Sequence, residues 1–305
     1  MIYPVKSCGL IGLGRMGFRL AQRLRDIDIG VTGFDISEDR NTLLRSEGFR
    51  VSDSCESLCA DLASPRLIMV ILPSGEATNS MLLKLAQILK PGDTLFDLGN
   101  CHYQKAREHE KMFQKMGVDF LDIGVSGGVT GARNGPMLSA GGEPEIFKKW
   151  EPMLKALAGS SGCVYAGPSG WGHLTKTIHN GIEYGFLQAI AEGLHLLEKS
   201  AEKDGITINL KDICNAWSSG SIIESRLIKD AALAVDLLEN KNISGNVGGG
   251  ETGRWASEVA RELKVPTPAL KAALEFRETS VKSPDRTGQF IAAIRNIFGE
   301  HNTAP

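Results

Sequence analysis

The chain has 305 residues, of which 42% are apolar and 23% are charged, and its formal net charge is −2 at pH 7. This length favours two domains, each large enough to bury its own core. The chain carries no long basic run, which argues against a nucleic-acid partner. The longest apolar run of the first half, LIMVILP at 67–73, is too short to span a bilayer, and the N-terminus lacks the pattern of a signal peptide. We therefore expect no membrane partner.

The cysteines give no sign of a disulfide framework or of a metal site. They are scattered along the chain at Cys8, Cys55, Cys59, Cys101, Cys163 and Cys214. Cys55 and Cys59 have no nearby histidine or second cysteine pair with which to form a zinc site. We predict reduced structural thiols, no metal and a cytoplasmic location.

The first half of the chain alternates short β-branched runs with helical stretches such as 16–26 and 77–89. The predicted strands are 6–11, 30–35, 67–72, 94–98, 119–125, 137–140 and 163–166. This alternation is typical of a doubly wound sheet.

After Gly167 and Pro168 the pattern changes, and no further strand is predicted. Amphipathic helical segments follow at 171–203, 209–219, 222–239, 251–263, 267–279 and 286–298. The fold prediction is thus an α/β Rossmann-type doubly wound sheet followed by an all-α C-terminal domain. We expect an NAD(P)-binding domain over 1–168 and a helical substrate-binding and dimerisation domain over 169–305. The stretch NISGNVGGG at 242–250 is predicted to be a loop whose glycines can wrap closely round a ligand.

The segment GLIGLGRMG at 9–17 contains G-x-G-x-x-G between a predicted strand and a predicted helix. Glycines at these positions permit a tight turn, let the backbone approach a pyrophosphate and pack the helix on the strand, while the helix N-terminus supplies positive potential. The pattern predicts a dinucleotide site. Its expected contacts in this loop are Gly12, Leu13, Gly14, Arg15, Met16 and Gly17.

The second predicted strand ends at Asp35, about 20 residues after the glycines, where a carboxylate binds the ribose hydroxyls of NAD and repels a 2′-phosphate. Arg40 is near enough to leave NADP possible, but we expect NAD to be favoured. The alternative is that Asp35 only caps a turn. The segment LPSG at 72–75 follows the third predicted strand and is expected to line the cofactor with Leu72 and Pro73, mainly through the backbone.

Residues 176–185, KTIHNGIEYG, place polar side chains along one face of a predicted helix. Lys176, Asn180 and Glu183 fall within about 40° of one another, with His179 and Tyr184 beside them. The amine and the carboxylate are set about 10 Å apart along the axis and can act on opposite sides of one small substrate. The alternative is a solvated face that carries an ion pair.

Two further loops follow predicted strands at the carboxyl edge of the sheet, where ligands bind in open α/β folds. The first, DLGN at 97–100, offers Asn100, which we assign to both the substrate and the cofactor. The second, GVSGG at 124–128, offers Ser126, Gly127 and Gly128 to a small polar ligand.

Taken in order, GLIGLGRMG, DLGN, GVSGGVTGARNGPMLSAGG and KTIHNGIEYG resemble decarboxylating 6-phosphogluconate dehydrogenase, a family of the β-hydroxyacid dehydrogenase superfamily. The length resembles the short form of that family. The resemblance covers nearly the whole chain, and the His-Asn-x-x-Glu-Tyr extension after the lysine is its most specific part. Towards the C-terminus it implies phosphate-binding roles for Arg254 and Arg277. Arg254 and Ala256 stand where the long form has lysine and threonine, which leaves the details of phosphate binding open.

The resemblance also implies that Arg295 and His301 belong to a tail that reaches into the neighbouring subunit's active site. Arginines of this kind suit a phosphate because the guanidinium group presents a fork of donors. The expected assembly is a homodimer or a homotetramer.

The activity implied by the resemblance is oxidation of 6-phosphogluconate to ribulose 5-phosphate and CO2, with reduction of NAD and no metal. Lys176 takes the proton of the C3 hydroxyl group and Glu183 protonates the product carbon. Lys176 acts as a base only if its pKa is lowered from about 10.4. Ser126, Gly127, Gly128, His179, Asn180 and Tyr184 are expected to orient the substrate.

Two other functions remain open from the residues alone. A 3-hydroxyisobutyrate-type dehydrogenase shares the Rossmann half, the SGG loop and the lysine, but it oxidises without decarboxylation and normally follows its lysine with two asparagines. A non-catalytic dinucleotide-binding regulator would keep the glycines but has little use for Lys176, Glu183 and three arginines.

Overall fold

The computed structural model describes residues 3–301 and 303. One eight-stranded sheet has the strand order β3-β2-β1-β4-β5-β6-β7-β8. Its strands are β1 (Ser7–Ile11), β2 (Gly30–Phe34), β3 (Arg50–Val51), β4 (Leu67–Val70), β5 (Thr94–Asp97), β6 (Asp119–Ser126), β7 (Met137–Gly142) and β8 (Cys163–Gly167). The predicted strands are all present, with ends that differ by at most two residues. The strand that the sequence analysis missed, β3, has only two residues and therefore too short a pattern to recognise.

The chain direction of the sheet explains where a ligand binds. Strands β1 to β6 pair in parallel, and β7 runs antiparallel to β6. The strand β1 lies between β2 and β4, so the strand order reverses there and opens a crevice at the carboxyl ends of the strands. The predicted doubly wound α/β class is confirmed.

Helices cover both faces of this sheet. They are α1 (Arg15–Asp26), α2 (Glu38–Ser46), α3 (Cys55–Ala60), α4 (Glu76–Leu85), α5 (Tyr103–Gln114), α6 (Gly128–Asn134) and α7 (Pro144–Ala158). One buried cluster includes Phe96 edge-on against Trp150 at 5.3 Å between ring centres, and another includes Phe113 stacked on Phe120 at 5.8 Å. All four residues of β4 are apolar because the strand is buried on both faces of the sheet.

From Trp171 onwards, the part of the chain that the structure describes contains helices and loops but no strand, as predicted. The helices are α8 (Trp171–Asp204), α9 (Leu210–Trp217), α10 (Arg226–Asn240), α11 (Glu251–Glu262), α12 (Pro268–Lys282) and α13 (Arg286–Gly299). The prediction that a helix begins at residue 222 is wrong. Ser225 is extended, and its side chain accepts a hydrogen bond from the amide of Ile228, so it caps a helix that begins at Arg226.

The fold divides into two compact units, the first ending at Lys176 and the second beginning at Thr177. The division falls inside α8, whereas the predicted domain boundary at residue 168 precedes this helix. The second unit has its own core, built round side chains such as Leu187, Ala231 and Phe290. None of the helices among the described residues combines the length and the apolar character that a bilayer crossing requires.

Candidate active site

The three glycines of the turn between β1 and α1 have different roles: two are closely packed, and one leaves room for a ligand. A Cβ atom on Gly12, whose φ is +96°, would lie 2.3 Å from the carbonyl oxygen of Ile71, and one on Gly17 would lie 1.9 Å from the carbonyl oxygen of Gly12. These two glycines are therefore required by packing. A Cβ on Gly14 meets nothing within 4 Å, so the backbone at the start of α1 is open to a pyrophosphate.

Asp35 lies directly after β2, and its carboxylate links the glycine turn to the loop that follows β2. Its Oδ2 accepts a hydrogen bond from the amide of Leu13 at 2.7 Å, and its Oδ1 accepts one from the amide of Ser37 at 2.9 Å. Asp35 therefore does cap a turn, which was the alternative reading of this residue. Each carboxylate oxygen has two lone pairs, so the same group can still accept hydrogen bonds from ribose hydroxyls.

The loop after β4 packs beside the glycine turn. A Cβ on Gly12 would lie 2.9 Å from Cδ2 of Leu72, and the hydroxyl of Thr78 donates a 2.8 Å hydrogen bond to the carbonyl oxygen of Pro73. Leu72 and Pro73 therefore lie beside the predicted cofactor loop. Arg15 and Arg40 are exposed and Met16 is half-buried.

At the end of β6, Nζ of Lys176 donates a 3.2 Å hydrogen bond to Oγ of Ser126. Ser126 is buried, while Lys176 is half-buried. Gly127, with φ of +119°, turns the chain immediately after the serine. The structure thus brings together the predicted lysine and serine, and Asn100 is exposed in the loop after β5.

A residue that the sequence analysis did not identify anchors the helix that carries this lysine. Both carboxylate oxygens of Asp122, on β6, accept hydrogen bonds from α8 and the residues before it: Oδ1 from the amide of Gly170 at 2.7 Å and Oδ2 from the amide of His173 at 2.8 Å. The carboxylate satisfies amides that the start of a helix leaves without partners. The signal in the sequence was a charged residue inside an otherwise buried strand.

Close packing fixes the distance between β6 and α8. A Cβ on Gly172 would lie 2.1 Å from the carbonyl oxygen of Asp122, and the hydroxyl of Ser139 donates a 3.1 Å hydrogen bond to the carbonyl oxygen of Gly172. The strand and the helix are in backbone contact at this point. Lys176 thus extends from a helix turn whose position β6 determines.

In the second unit, a threonine hydroxyl links two of the predicted substrate residues. Oγ1 of Thr252 accepts a 3.3 Å hydrogen bond from Nδ2 of Asn180 and lies 3.3 Å from the hydroxyl oxygen of Tyr184. His179 lies beside them, with Nδ1 at 3.2 Å from Oδ1 of Asn180 and 3.9 Å from a carboxylate oxygen of Glu183. Thr252 was missed, although it belongs to the ETGRWA segment.

Two arginines form a cationic cluster under the glycine-rich loop. Arg277 is 3% exposed, stacks over the ring of Tyr184 at 3.8 Å and donates a 3.2 Å hydrogen bond to the carbonyl oxygen of Gly248. Arg295 donates to the carbonyl oxygen of Val247, and a Cβ on Gly249 would lie 3.5 Å from its Nη2.

The electrostatics of this cluster favour an anion. Burial, with the positive charge of Arg295, lowers the pKa of Arg277 to about 10. Burial also lowers the pKa of Arg295. Two desolvated guanidinium groups close together are stabilised by a ligand that brings negative charge.

The two remaining predicted phosphate residues have different surroundings. Arg254 is exposed and lies 3.8 Å from the carboxylate of Glu278. The ring of His301 lies edge-on to Phe298 with 6.0 Å between ring centres, and its backbone carbonyl accepts a 2.8 Å hydrogen bond from Asn296.

The comparisons with known proteins agree with this architecture. Residues 7–167 match the NAD binding domain of 6-phosphogluconate dehydrogenase, and residues 172–289 match the 6-phosphogluconate dehydrogenase C-terminal domain. A Haloferax volcanii protein named NAD(+)-dependent, decarboxylating 6-phosphogluconate dehydrogenase is 32% identical over 300 residues, which cover 97% of this chain and 98% of the relative.

Solved structures show the same fold. A Plasmodium falciparum 6-phosphogluconate dehydrogenase, described in its apo form and in complexes with NADP+ and with 6-phosphogluconate, aligns with a TM-score of 0.80 at 27% identity, over 90% of this chain and 62% of that chain. Mycobacterium tuberculosis 3-hydroxyisobutyrate dehydrogenase aligns with a TM-score of 0.74 at 20% identity, over 96% of this chain and 99% of that one, which shows the shared fold alone. The resemblance found in the sequence is confirmed: the chain belongs to the 6-phosphogluconate dehydrogenase family.

Proposed function

We propose that this chain oxidises and decarboxylates 6-phosphogluconate to ribulose 5-phosphate and CO2, with NAD as the favoured electron acceptor. The observation that carries the proposal is the pair of arginines held under the glycine-rich loop: Arg277, which is buried, and Arg295, which is half-buried. Two desolvated like charges are costly, and a phosphate dianion offsets that cost. A 3-hydroxy acid without a phosphate gives no reason for such a pair.

Lys176 is the general base of the oxidation in this proposal. The neutral amine accepts the proton of the C3 hydroxyl. NAD held at the glycine turn would supply the acceptor for the hydride from C3, and the product of this oxidation is a β-keto acid. The hydrogen bond to Ser126 and the anchoring of α8 by Asp122 support this role, because both restrict where the amine can go.

Decarboxylation then needs a cation at the new carbonyl oxygen. The C1–C2 bond breaks, CO2 leaves, and the electron pair passes to the oxygen on C3, where the ammonium of Lys176 stabilises the enolate. Glu183 next donates a proton to the carbon that becomes C1 of ribulose 5-phosphate. Lys176 and Glu183 both belong to α8, which supports a division of base and acid along one helix.

We assign cofactor binding to Gly12, Leu13, Gly14, Arg15, Met16, Gly17, Asp35, Leu72, Pro73 and Asn100. The open space at Gly14 fits a pyrophosphate, and the lone pairs that remain on Asp35 fit the ribose hydroxyls. A 2′-phosphate would meet the Asp35 carboxylate, so NAD is favoured over NADP. Arg40 is the residue that would accommodate NADP.

We assign substrate positioning to side chains and backbone groups from several elements. The sugar-acid end is assigned to Asn100, Ser126, Gly127, Gly128, His179, Asn180 and Tyr184, and the phosphate end to Arg254, Arg277, Arg295 and His301. Among the four residues assigned to the phosphate end, Arg254 has a peripheral role, because it is exposed and paired with Glu278.

The proposed assembly is a homodimer, or a tetramer built from it. Ile178, Ile182 and Phe186 form an exposed apolar stripe along α8, with exposed fractions of 40%, 69% and 39%. They line a groove of about 730 Å³ together with α11 and the start of α12. A second copy seated there would cover these side chains and bring its own His301 to the site, as the family resemblance implies. Arg295, which the resemblance also assigns to the neighbouring site, instead contacts Val247 of its own chain beside Arg277.

We also assign the protein to the cytoplasm. All six cysteines are free thiols in the structure, and five of them are buried. Unpaired thiols are typical of a reducing compartment.

The test is steady-state kinetics on 6-phosphogluconate, gluconate and 3-hydroxyisobutyrate, each with NAD and with NADP, while CO2 release is followed in parallel. We expect equal amounts of NADH and CO2 from 6-phosphogluconate and little turnover of the other two. Turnover of 3-hydroxyisobutyrate without CO2 would assign the chain to the non-decarboxylating dehydrogenases. Tight NAD binding without turnover of any hydroxy acid would favour a regulator.

A further inference from the structure

A second group of polar side chains lies inside the first unit, and the proposed reaction does not use it. Asp97 ends β5, Cys101 belongs to the loop that follows, and His173 belongs to the first turn of α8. One carboxylate oxygen, the sulfur atom and one imidazole nitrogen all lie within 4.8 Å of one another. The three residues are 0%, 8% and 2% exposed.

Two atoms of this cluster have no hydrogen-bond partner among the described residues: Oδ2 of Asp97 and Nδ1 of His173. The other polar atoms of the same side chains are satisfied. Oδ1 of Asp97 accepts a 3.0 Å hydrogen bond from the amide of Gly99. A buried polar atom without a partner destabilises the fold, so two in one place point to a ligand.

The hydrogen bonding of His173 determines which ring nitrogen carries a lone pair. Nε2 lies 3.2 Å from the backbone carbonyl oxygen of Asp97. A carbonyl oxygen only accepts, so Nε2 carries the hydrogen and Nδ1 of the neutral ring is left with its lone pair. A ring whose second nitrogen donates to a carbonyl is the usual arrangement of a metal-binding histidine.

Charge also favours a cation. A thiolate, a carboxylate and a neutral imidazole round one divalent cation sum to zero net charge, which removes the cost of burying each anion alone.

We propose that Asp97, Cys101 and His173 bind one divalent cation of the zinc class. A thiolate, an imidazole and a carboxylate are all zinc ligands, and three protein ligands leave a coordination position for water. The cation would join the loop that carries Asn100 to the first turn of α8. It takes no part in the hydride transfer, and the inference does not depend on the proposed function.

The test uses the intact chain, stripped with a chelator and then titrated with Co2+. We expect one Co2+ per chain, a thiolate-to-cobalt charge-transfer band, and displacement of Co2+ by Zn2+. Cys101→Ser should abolish the band and weaken binding by at least about tenfold, since the loss of even an indirect metal partner has effects of that size. The matched control Cys163→Ser, at a half-buried cysteine outside the cluster, should keep the band and the affinity.

A melting-temperature series separates loss of the site from loss of the fold. Zn2+ should raise the Tm of the wild type and of Cys163→Ser, because it binds only the folded chain, and it should leave the Tm of a folded Cys101→Ser unchanged. Binding without a thiolate band, or an unchanged band in Cys101→Ser, would overturn the proposal. A cluster that holds a bridging water and takes up no metal would overturn it as well.

Discussion

A Cβ atom built on Gly124 would lie 2.6 Å from the Cβ of Lys176 and 2.6 Å from the carbonyl oxygen of Gly172. No real Cβ tolerates such distances, so the strand β6 and the first turns of α8 can approach this closely only because residue 124 is glycine. The position of the lysine is therefore set by a residue that has no functional group.

Gly124→Ala should lower kcat by at least about tenfold with little change in the KM for NAD, because small displacements of a catalytic group have large effects on rate. Steady-state kinetics on 6-phosphogluconate checks this. The matched control is Gly193→Ala on α8, the helix that carries Lys176, because a Cβ at position 193 meets nothing within 4 Å. If Gly124→Ala is folded by circular dichroism and keeps the wild-type kcat, the close contact does not position Lys176.

Lys176→Met should abolish hydride transfer and lower kcat by about 10²- to 10⁴-fold, the usual effect of removing a general base. NADH binding, measured by fluorescence, should be unchanged, because the glycine turn lies in another part of the unit. Ser126→Ala should have a smaller effect, since it removes one hydrogen bond to the amine and leaves the amine itself. A Lys176→Met enzyme with more than a tenth of the wild-type turnover would remove Lys176 from the mechanism.

Replacing Asp35 by Asn should narrow the preference for NAD, mainly by lowering the KM for NADP. The amide keeps one acceptor oxygen but loses the negative charge that repels a 2′-phosphate. The ratio of kcat/KM for the two cofactors is the measurement. A wild type that already prefers NADP would contradict this interpretation and point to Arg40.

Arg277→Lys should raise the KM for 6-phosphogluconate about tenfold or more, because a lysine keeps the charge but loses the forked donors and the stacking on Tyr184. Arg295→Lys should behave similarly. The matched control is Arg254→Lys, at an exposed arginine paired with Glu278, where we expect less than a threefold change, about the size of a surface ion pair. Equal effects at all three positions would show that Arg254 belongs to the phosphate site as closely as Arg277 and Arg295 do.

A mixture of Lys176→Met and His301→Ala chains should have more activity than either variant has alone. If the tail serves the neighbouring subunit, a mixed dimer contains one site with both residues wild type. Activity is measured after the chains have been allowed to exchange, and sedimentation gives the oligomeric state. A fully active monomer, or no recovery in a well-exchanged mixture, would show that the tail serves its own subunit.

The sequence by itself determined the elements and the local motifs. The strands, the glycine turn and the long helices from Trp171 are encoded by residues close together in the chain, through burial periods and the backbone freedom of glycine. The helix α10 shows the limit of this reasoning. Its apolar period starts at residue 222, but the capping serine at 225 decides where the helix begins.

Only the tertiary structure decided which distant residues act together. Asp122 accepts a hydrogen bond from the amide of His173, which is 51 residues away in the sequence, and Thr252 accepts one from Asn180, which is 72 residues away. The cluster of Asp97, Cys101 and His173 shows the same limit, because its spacing matches no metal motif and the sequence analysis expected no metal. The physical reason is that such contacts arise when strand ends and helix starts from different parts of the chain pack together. The sequence around a single side chain in a buried strand does not predict which distant residue it contacts.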